Sequence, residues 1–237
     1  MHANKVALVT GANKGIGHAI ASALAAHGLT VLVGARDAAR GEAAAQRIAG
    51  DARACWLDVT RAESIASAVS RIERELGRLD VLVNNAGIAT FGAPSTARLE
   101  DVRSVFETNV LGVIAVTQAM LPLLRAAPAG RIVNVSTRLG SLTAITDAGS
   151  PMRGIGGVAY GPSKSALNAV TVAFAQELAD TNIKVNAACP GHTATDLNGH
   201  TGTRTVVEAA KHPVRLALLG NDGLTGTFSN DAGTIPW

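Results

Sequence analysis

Aromatic side chains are scarce: four phenylalanines, two tryptophans and a single tyrosine make up 3% of the 237 residues. A core of useful size must therefore be assembled from Ala, Val, Leu and Ile, and apolar residues do reach 47% of the chain. Only two cysteines occur, Cys55 and Cys189. They are too few and too far apart for a disulfide framework or a zinc site, and they read as small buried apolar groups in a reducing compartment. Charge of one sign is lacking as well: the formal net charge is +3, and the Lys and Arg residues are scattered instead of forming the basic stripe that nucleic acid requires. No apolar run reaches membrane-spanning length, and strand-like sequence begins by Lys5, so no signal peptide, no membrane partner and a cytoplasmic location are expected. Repeats, linkers and a composition shift are absent too, and 1–237 is expected to form one sizeable α/β domain.

What the chain does contain is alternation. Short apolar runs at 6–10, 29–35, 54–58 and 81–85 are each followed by a helical pattern, at 15–27, 38–49, 62–76 and 99–126. This βαβα order predicts a parallel sheet covered on both faces, and the near-continuous apolar strands Val81-Leu82-Val83 and Ile132-Val133-Asn134-Val135 suit burial on both sides. Thr60-Arg61-Ala62-Glu63 reads as a capping box opening the third helix. The stretch 138–159 is too glycine-rich for a stable element. A helix over about 163–180 is expected to bury Leu167, Val170, Phe174 and Leu178, followed by a strand at 183–188. A polar segment at 191–211 leads to a last helix at 214–219 and an edge strand at 226–229.

The first strand runs into Thr10-Gly11-Ala12-Asn13-Lys14-Gly15-Ile16-Gly17 and then directly into a helix. Glycines at 11, 15 and 17 permit a tight turn, a close approach to a pyrophosphate and close helix-to-strand packing, with the helix N-terminus facing the anion. Asn13, Lys14 and Ile16 belong to the same loop. The second strand ends Gly34-Ala35-Arg36-Asp37, where a carboxylate would grip the ribose 2′-hydroxyl of NAD. Ala35 holds that place and Arg36 follows, so a 2′-phosphate is favoured, with Lys14 as a second positive charge, and NADP(H) is the expected cofactor. Asp37 reads as a helix N-cap. Arg36 as a plain surface residue is the rival reading.

The lone tyrosine, Tyr160, stands one helical turn before Lys164 in Tyr160-Gly161-Pro162-Ser163-Lys164. An ammonium beside a phenol of ordinary pKa near ~10 would make its proton easier to give up. The duller alternative is a half-buried tyrosine beside a solvated lysine.

With the glycine loop, Asn84-Asn85-Ala86-Gly87, Tyr160 to Lys164 and Pro190-Gly191 in this order, the chain resembles the short-chain dehydrogenase/reductase family in its compact single-domain form, most closely the NADPH-dependent carbonyl reductase branch. The resemblance implies a Rossmann-type doubly wound sheet of order 3-2-1-4-5-6-7. It implies reversible reduction of a small-molecule ketone or aldehyde to an alcohol by NADP(H), with Tyr160 as the proton donor and acceptor. Lys164 would hold the nicotinamide ribose, and Asn109 would anchor a relay water or else be merely solvated. Asn85, Ala86 and Gly87 would line the cofactor, and Pro190, Gly191, Thr193 and Thr195 would hold its nicotinamide end. Asp58 and Val59 would meet the adenine, although Asp58 could equally cap a loop, and Asn84 could simply tie strands together. A 3-oxoacyl-thioester reductase, a sugar or steroid dehydrogenase and a non-catalytic NADP sensor are the alternatives. Homodimer, homotetramer and monomer all stay open.

Two departures stand out. Where the family places the second serine of a Ser-Ser pair, this chain has Ser136-Thr137, so Thr137 carries the expected hydroxyl on a stiffer β-branched side chain, with Ser136 and Ser141 as substitutes. The connection 138–159 is longer than usual and is expected to wall the substrate pocket, with 191–211 on the other side. Arg138 and Arg153 in that loop either meet an acidic substrate or are solvated.

Overall fold

The computed structural model describes residues 4–237. Strands β1 (Val6–Val9), β2 (Thr30–Ala35), β3 (Ala52–Trp56), β4 (Val81–Asn84), β5 (Arg131–Val135), β6 (Lys184–Ala188), β7 (Phe228–Asn230) and β8 (Gly233–Thr234) form one sheet in the order β3-β2-β1-β4-β5-β6-β7-β8. All pairings are parallel except β7 with β8. The order is the expected one with a strand added at the end. Asn230 Oδ1 accepts from Ala232 N to make the return turn, and Ile235 N donates to Phe228 O, so the 226–229 segment is not the edge.

Side chains alternate along the central strands with period 2. Ala7, Val9, Val31, Val33, Val81, Val83, Val133 and Val135 point to one face, where they meet Ile20 and Leu24 of α1 (Gly15–Ala26), Ala44 of α2 (Ala38–Ala45) and Val214 of α8 (Val206–Ala217). Leu8, Leu32, Leu82, Ile132 and Val185 point to the other, against α3 (Ala62–Leu76), α5 (Gly112–Ala126) and α7 (Tyr160–Glu177). The smaller valine face and the larger Leu/Ile face each make a separate apolar layer, as a strand buried on both sides requires.

Several local expectations are corrected. The Thr60 capping box does not form: Thr60 Oγ1 donates to Asp58 Oδ1 at 2.7 Å, and α3 starts from Arg61 with no side-chain cap. Helix α8 begins at Val206, well before 214, because Thr205 and Glu208 form a capping box and the helix continues through Pro213. The stretch 138–159 does hold regular structure: a 3-10 turn at Arg138–Gly140 and helix α6 (Leu142–Thr146), whose cap is Ser141 Oγ accepting from Ala144 N. Helix α7 starts at Tyr160 itself, and Val170 is only partly buried. The helical run 99–126 is interrupted: α4 (Leu99–Phe106) passes into a π-helical segment, Glu107–Leu111, before α5. That run is long and apolar enough to cross a membrane, contrary to the expectation, and half of its most apolar window is buried inside this fold.

Candidate active site

The C-terminal ends of the parallel strands bring the singled-out residues together in two groups. The first surrounds the glycine loop. Gly11 and Gly15 have φ of +62° and +60°, backbone that side chains with a Cβ rarely adopt. A Cβ on Gly17 would stand 2.3 Å from Asn85 Nδ2 and 2.7 Å from Gly11 O. Thr10, which sequence reasoning passed over as a site residue, organises the crossing to β4: its Oγ1 accepts from Asn85 N at 3.0 Å and Ala86 N at 2.9 Å. Asn85 Nδ2 in turn donates to Thr10 O and Gly11 O. Lys14 caps α1 with extended backbone and no side-chain acceptor, and the first turn holds no acidic residue. The N–H groups there have no side-chain cap among the described residues, an arrangement that fits a phosphate group.

Around this loop stand the other cofactor candidates. Arg36 is exposed at the tip of β2, and among the described residues only its backbone carbonyl is engaged, by Trp56 Nε1. Asp37 accepts from Arg40 N, as an N-cap should. Asp58 Oδ1 is occupied by Thr60 N and Oγ1, the loop-capping alternative, while Val59 is buried against Gly112 of α5. Asn13 on the loop and Ile16 in the first turn of α1 are half-buried. Lys14 does not stand free beside Arg36: its Nζ lies 2.5 Å from Asp196 Oδ2, on the segment after β6.

The second group is built from polar side chains inside the protein. Asn109 sits in the π segment and is fully buried, not solvated. Its Oδ1 accepts from Ile88 N and its Nδ2 donates to Ile88 O, both at 2.9 Å, clamping the loop after Gly87. Nδ2 also donates to Ser163 Oγ, which donates to Tyr160 O at 2.7 Å. Lys164 is 5% exposed, donates from Nζ to Val135 O at 2.7 Å, and lies 6.0 Å from the centroid of the Tyr160 ring. A Cβ on Gly87 would stand 3.2 Å from Asn109 Oδ1 and 3.7 Å from Lys164 Nζ, so the loop after β4 and the start of α7 share one space. The Tyr160 ring meets Phe91 edge to face at 5.4 Å, and its hydroxyl makes no hydrogen bond among the described residues.

Burial governs titration here. It pulls Lys164 down to about 8 and pushes the Tyr160 phenol above its ordinary range, with Cys189 adding to the latter. The expected lowering of the phenol by the ammonium is therefore reversed: Lys164 is turned toward the Val135 carbonyl, and loss of water around the ring dominates.

The three candidate hydroxyls are not equivalent. Ser136 donates to Asn168 Oδ1 at 2.7 Å and Ser141 to Pro236 O at 2.6 Å, so both protons are committed to the fold. Thr137 Oγ1 only accepts, from Leu139 N, and the residue is half-buried. Asn84 does tie strands together, donating to Asn134 of β5 and Thr117 of α5. Gly191 follows Pro190 with φ +80°, packed against Arg204; Thr193 donates to Gly191 O, and Thr195 approaches the glycine loop. Arg138 and Arg153 are exposed. A cavity of about 900 Å³ lies away from this cluster, between α1 and α8.

The family model described as short chain dehydrogenase matches residues 5–205. The chain is 35% identical to "Short-chain dehydrogenase anuI" of Penicillium roqueforti, covering 96% of this chain and 94% of that protein. It is 33% identical to "Carbonyl reductase [NADPH] 1" of Mus musculus, covering 98% of each. The structure of salutaridine reductase from Papaver somniferum superposes with a TM-score of 0.84 at 29% identity, over 94% of this chain and 99% of that one. The chain belongs to the short-chain dehydrogenase/reductase family of oxidoreductases, which bind a nicotinamide cofactor.

Proposed function

We propose that this protein reduces an apolar ketone or aldehyde to the alcohol with NADPH, reversibly. The observation that carries the reading is Tyr160, beside buried Lys164 at the C-terminal ends of the strands, with a hydroxyl that no group among the described residues occupies. A phenol is protonated at neutral pH, the form a proton donor needs, and such a donor aimed at an oxygen gaining charge contributes on the order of 10²- to 10⁴-fold. Thr137 is the remaining hydroxyl with a proton to give that oxygen. Lys164 would hold the ribose next to Tyr160. Asn109 spends both amide protons on Ile88 and Ser163, so a relay water would be held by an acceptor, its second Oδ1 lone pair or a backbone carbonyl of the π segment, a helix form common at functional sites.

The bound nicotinamide supplies the hydride. Gly11, Gly15 and Gly17 leave room for its pyrophosphate, Arg36 and Lys14 take the 2′-phosphate, and Asp58, Val59, Asn85, Ala86 and Gly87 line the adenosine and ribose side. Pro190, Gly191, Thr193 and Thr195 face the nicotinamide end. The NADPH reading is supported by Arg36, whose guanidinium has no partner among the described residues, and by the mouse relative, whose name specifies NADPH. An apolar substrate is supported by exposed Phe91, Ile155, Val158 and Leu197, on segments following β4, β5 and β6.

Loss of dihydronicotinamide absorbance with a panel of cyclic apolar ketones, keto acids and keto sugars, each with NADPH and NADH, tests this. Turnover is expected with NADPH and apolar ketones, and a preference for sugars or acids would overturn the substrate class. Arg36→Asp is expected to shift the cofactor ratio toward NADH by about 10- to 100-fold, the loss of a charge-assisted contact. An unchanged ratio would remove the phosphate role.

A further inference from the structure

The segment after β6 rests on the glycine loop. Asp196 opens a 3-10 turn, Asp196–Asn198, and the turn is braced from within: Asn198 Oδ1 accepts from Thr195 N at 3.3 Å and Asn198 Nδ2 donates to Thr193 O at 3.0 Å. The backbone of Thr193 bridges to Arg204, whose guanidinium pairs with Asp231. The Thr195 methyl is the nearest atom, at 3.8 Å, to the place where a Cβ on Gly15 would stand. Lys14 and Asp196 close this approach at 2.5 Å although 182 positions apart in sequence, and His200 Nε2 lies 2.8 Å from the other Asp196 oxygen. Lys14 and His200 hold the Asp196 carboxyl below its usual range.

We infer that Asp196 is a specificity-determining residue that tunes the choice between NADPH and NADH through Lys14. This rests on the reading above that Lys14 serves the 2′-phosphate. Its ammonium is already paired with a carboxylate held in place by a rigid turn, so a 2′-phosphate must share Lys14 with Asp196. A 2′-phosphate drawn to Lys14 also meets the negative charge of Asp196. NADH lacks the 2′-phosphate and shares only the pyrophosphate, so any effect of Asp196 on the glycine loop itself cancels from the ratio of the two affinities. Arg36 therefore favours the phosphate while Asp196 limits how strongly Lys14 can add to it.

The experiment measures dissociation constants of NADPH and NADH for the full chain by nucleotide fluorescence, without substrate. The variants are wild type, Asp196→Asn, Lys14→Met and the double substitution. Asp196→Asn is expected to tighten NADPH by about two- to fivefold and to leave NADH unchanged within error, the range for one exposed charge pair. In the Lys14→Met background the same change should have no more than about a twofold effect. Equal tightening of both nucleotides would make Asp196 a non-selective latch, and no change, or an undiminished effect without Lys14, would equally overturn the inference. A wild-type chain that binds neither nucleotide would overturn the proposed function, and the inference with it. Both side chains are more than half exposed, and a thermal melt of each variant distinguishes altered binding from altered folding.

Discussion

The two halves of the strand edge are built by opposite means. Around α1 the geometry depends on atoms that are missing: a Cβ on Gly11 would stand 2.9 Å from Ala86 Cα, and one on Gly17 would collide with Asn85. Around α7 it depends on polar atoms that are present and buried: Thr117, Asn84, Asn134 and Thr171 form one hydrogen-bonded row, Ser136, Asn168 and Gly140 a second, and Ile88, Asn109, Ser163 and Tyr160 a third. On the proposed reading the first half receives an anion on backbone N–H groups and needs space, while the second holds a proton-transfer group against a buried polar scaffold, where an unmade hydrogen bond costs more than in water. Damage to the first half should come from adding atoms, and damage to the second from removing them.

The largest effect expected is on the second half. Tyr160→Phe removes one oxygen and should lower turnover by about 10³-fold, with NADPH affinity within about twofold and the melting temperature hardly moved. Steady-state kinetics beside a binding titration checks this, and a variant that loses binding but keeps its chemical rate would reverse the division between the halves. Next comes Gly17→Ala in the first half. Glycine to alanine inside a helix ordinarily stabilises by about 1 kcal/mol. Here the added methyl meets the Gly11 carbonyl, which is backbone, so a net loss of about 1 to 2 kcal/mol is expected. NADPH should weaken at least as much, about tenfold. Thermal denaturation showing the usual helix gain would mean that the close approach is not required.

How far the sequence reveals each half follows from the same difference. Missing atoms are visible as glycines, so the loop at 11–17 can be read from the chain; the extent of α3 follows from its helical periodicity, and the strand order from the family resemblance. Tyr160 and Lys164 are visible because one helical turn joins them. Buried rows are not visible, because Asn84 and Asn134 are 50 positions apart and Asn134 and Thr171 are 37 apart. The π segment is equally hidden, since its apolar pattern continues that of the helices on either side. Helix α8 is a different case: Thr205 and Glu208 stand at capping-box spacing, a signal present in the sequence and obscured by Pro213. The Thr60 box shows the converse, a valid pattern lost to competition from Asp58 for the same hydroxyl.

Asn168→Ala sharpens the comparison at a smaller scale. Asn168 Oδ1 accepts from Ser136 and Nδ2 donates to Gly140 O at 3.1 Å, which together fix both ends of the turn carrying Thr137. Removing it leaves a buried donor and a buried acceptor without partners, a loss of about 1 to 3 kcal/mol. That corresponds to a fall of roughly 2 to 4 °C in Tm per kcal/mol for a chain of this size. Turnover should fall with it through displacement of Thr137, while NADPH affinity stays unchanged because no glycine-loop atom is touched. A shift confined to cofactor binding would contradict the separation of the two halves.

The smallest effect is a tilt in stability with pH. Burial holds Lys164 near 8 in the folded protein, against about 10.4 in the unfolded chain. Between these values the unfolded chain keeps a proton that the folded one has released, so stability rises with pH across the window; below about 8 both states are protonated and the penalty for burying the charge is fully present. Above about 10 the sign reverses for Tyr160, whose raised folded-state pKa makes the unfolded chain the one that loses a proton first. Lys164→Met removes the first contribution and keeps the side-chain volume. Denaturant titrations at pH 7.5 to 9.5 should show the wild type gaining on the order of 1 kcal/mol relative to Lys164→Met as pH rises. A difference that is flat or falls over this range would mean that Lys164 keeps its proton in the folded state, and that the interior around α7 is wetter than its hydrogen-bonded rows imply.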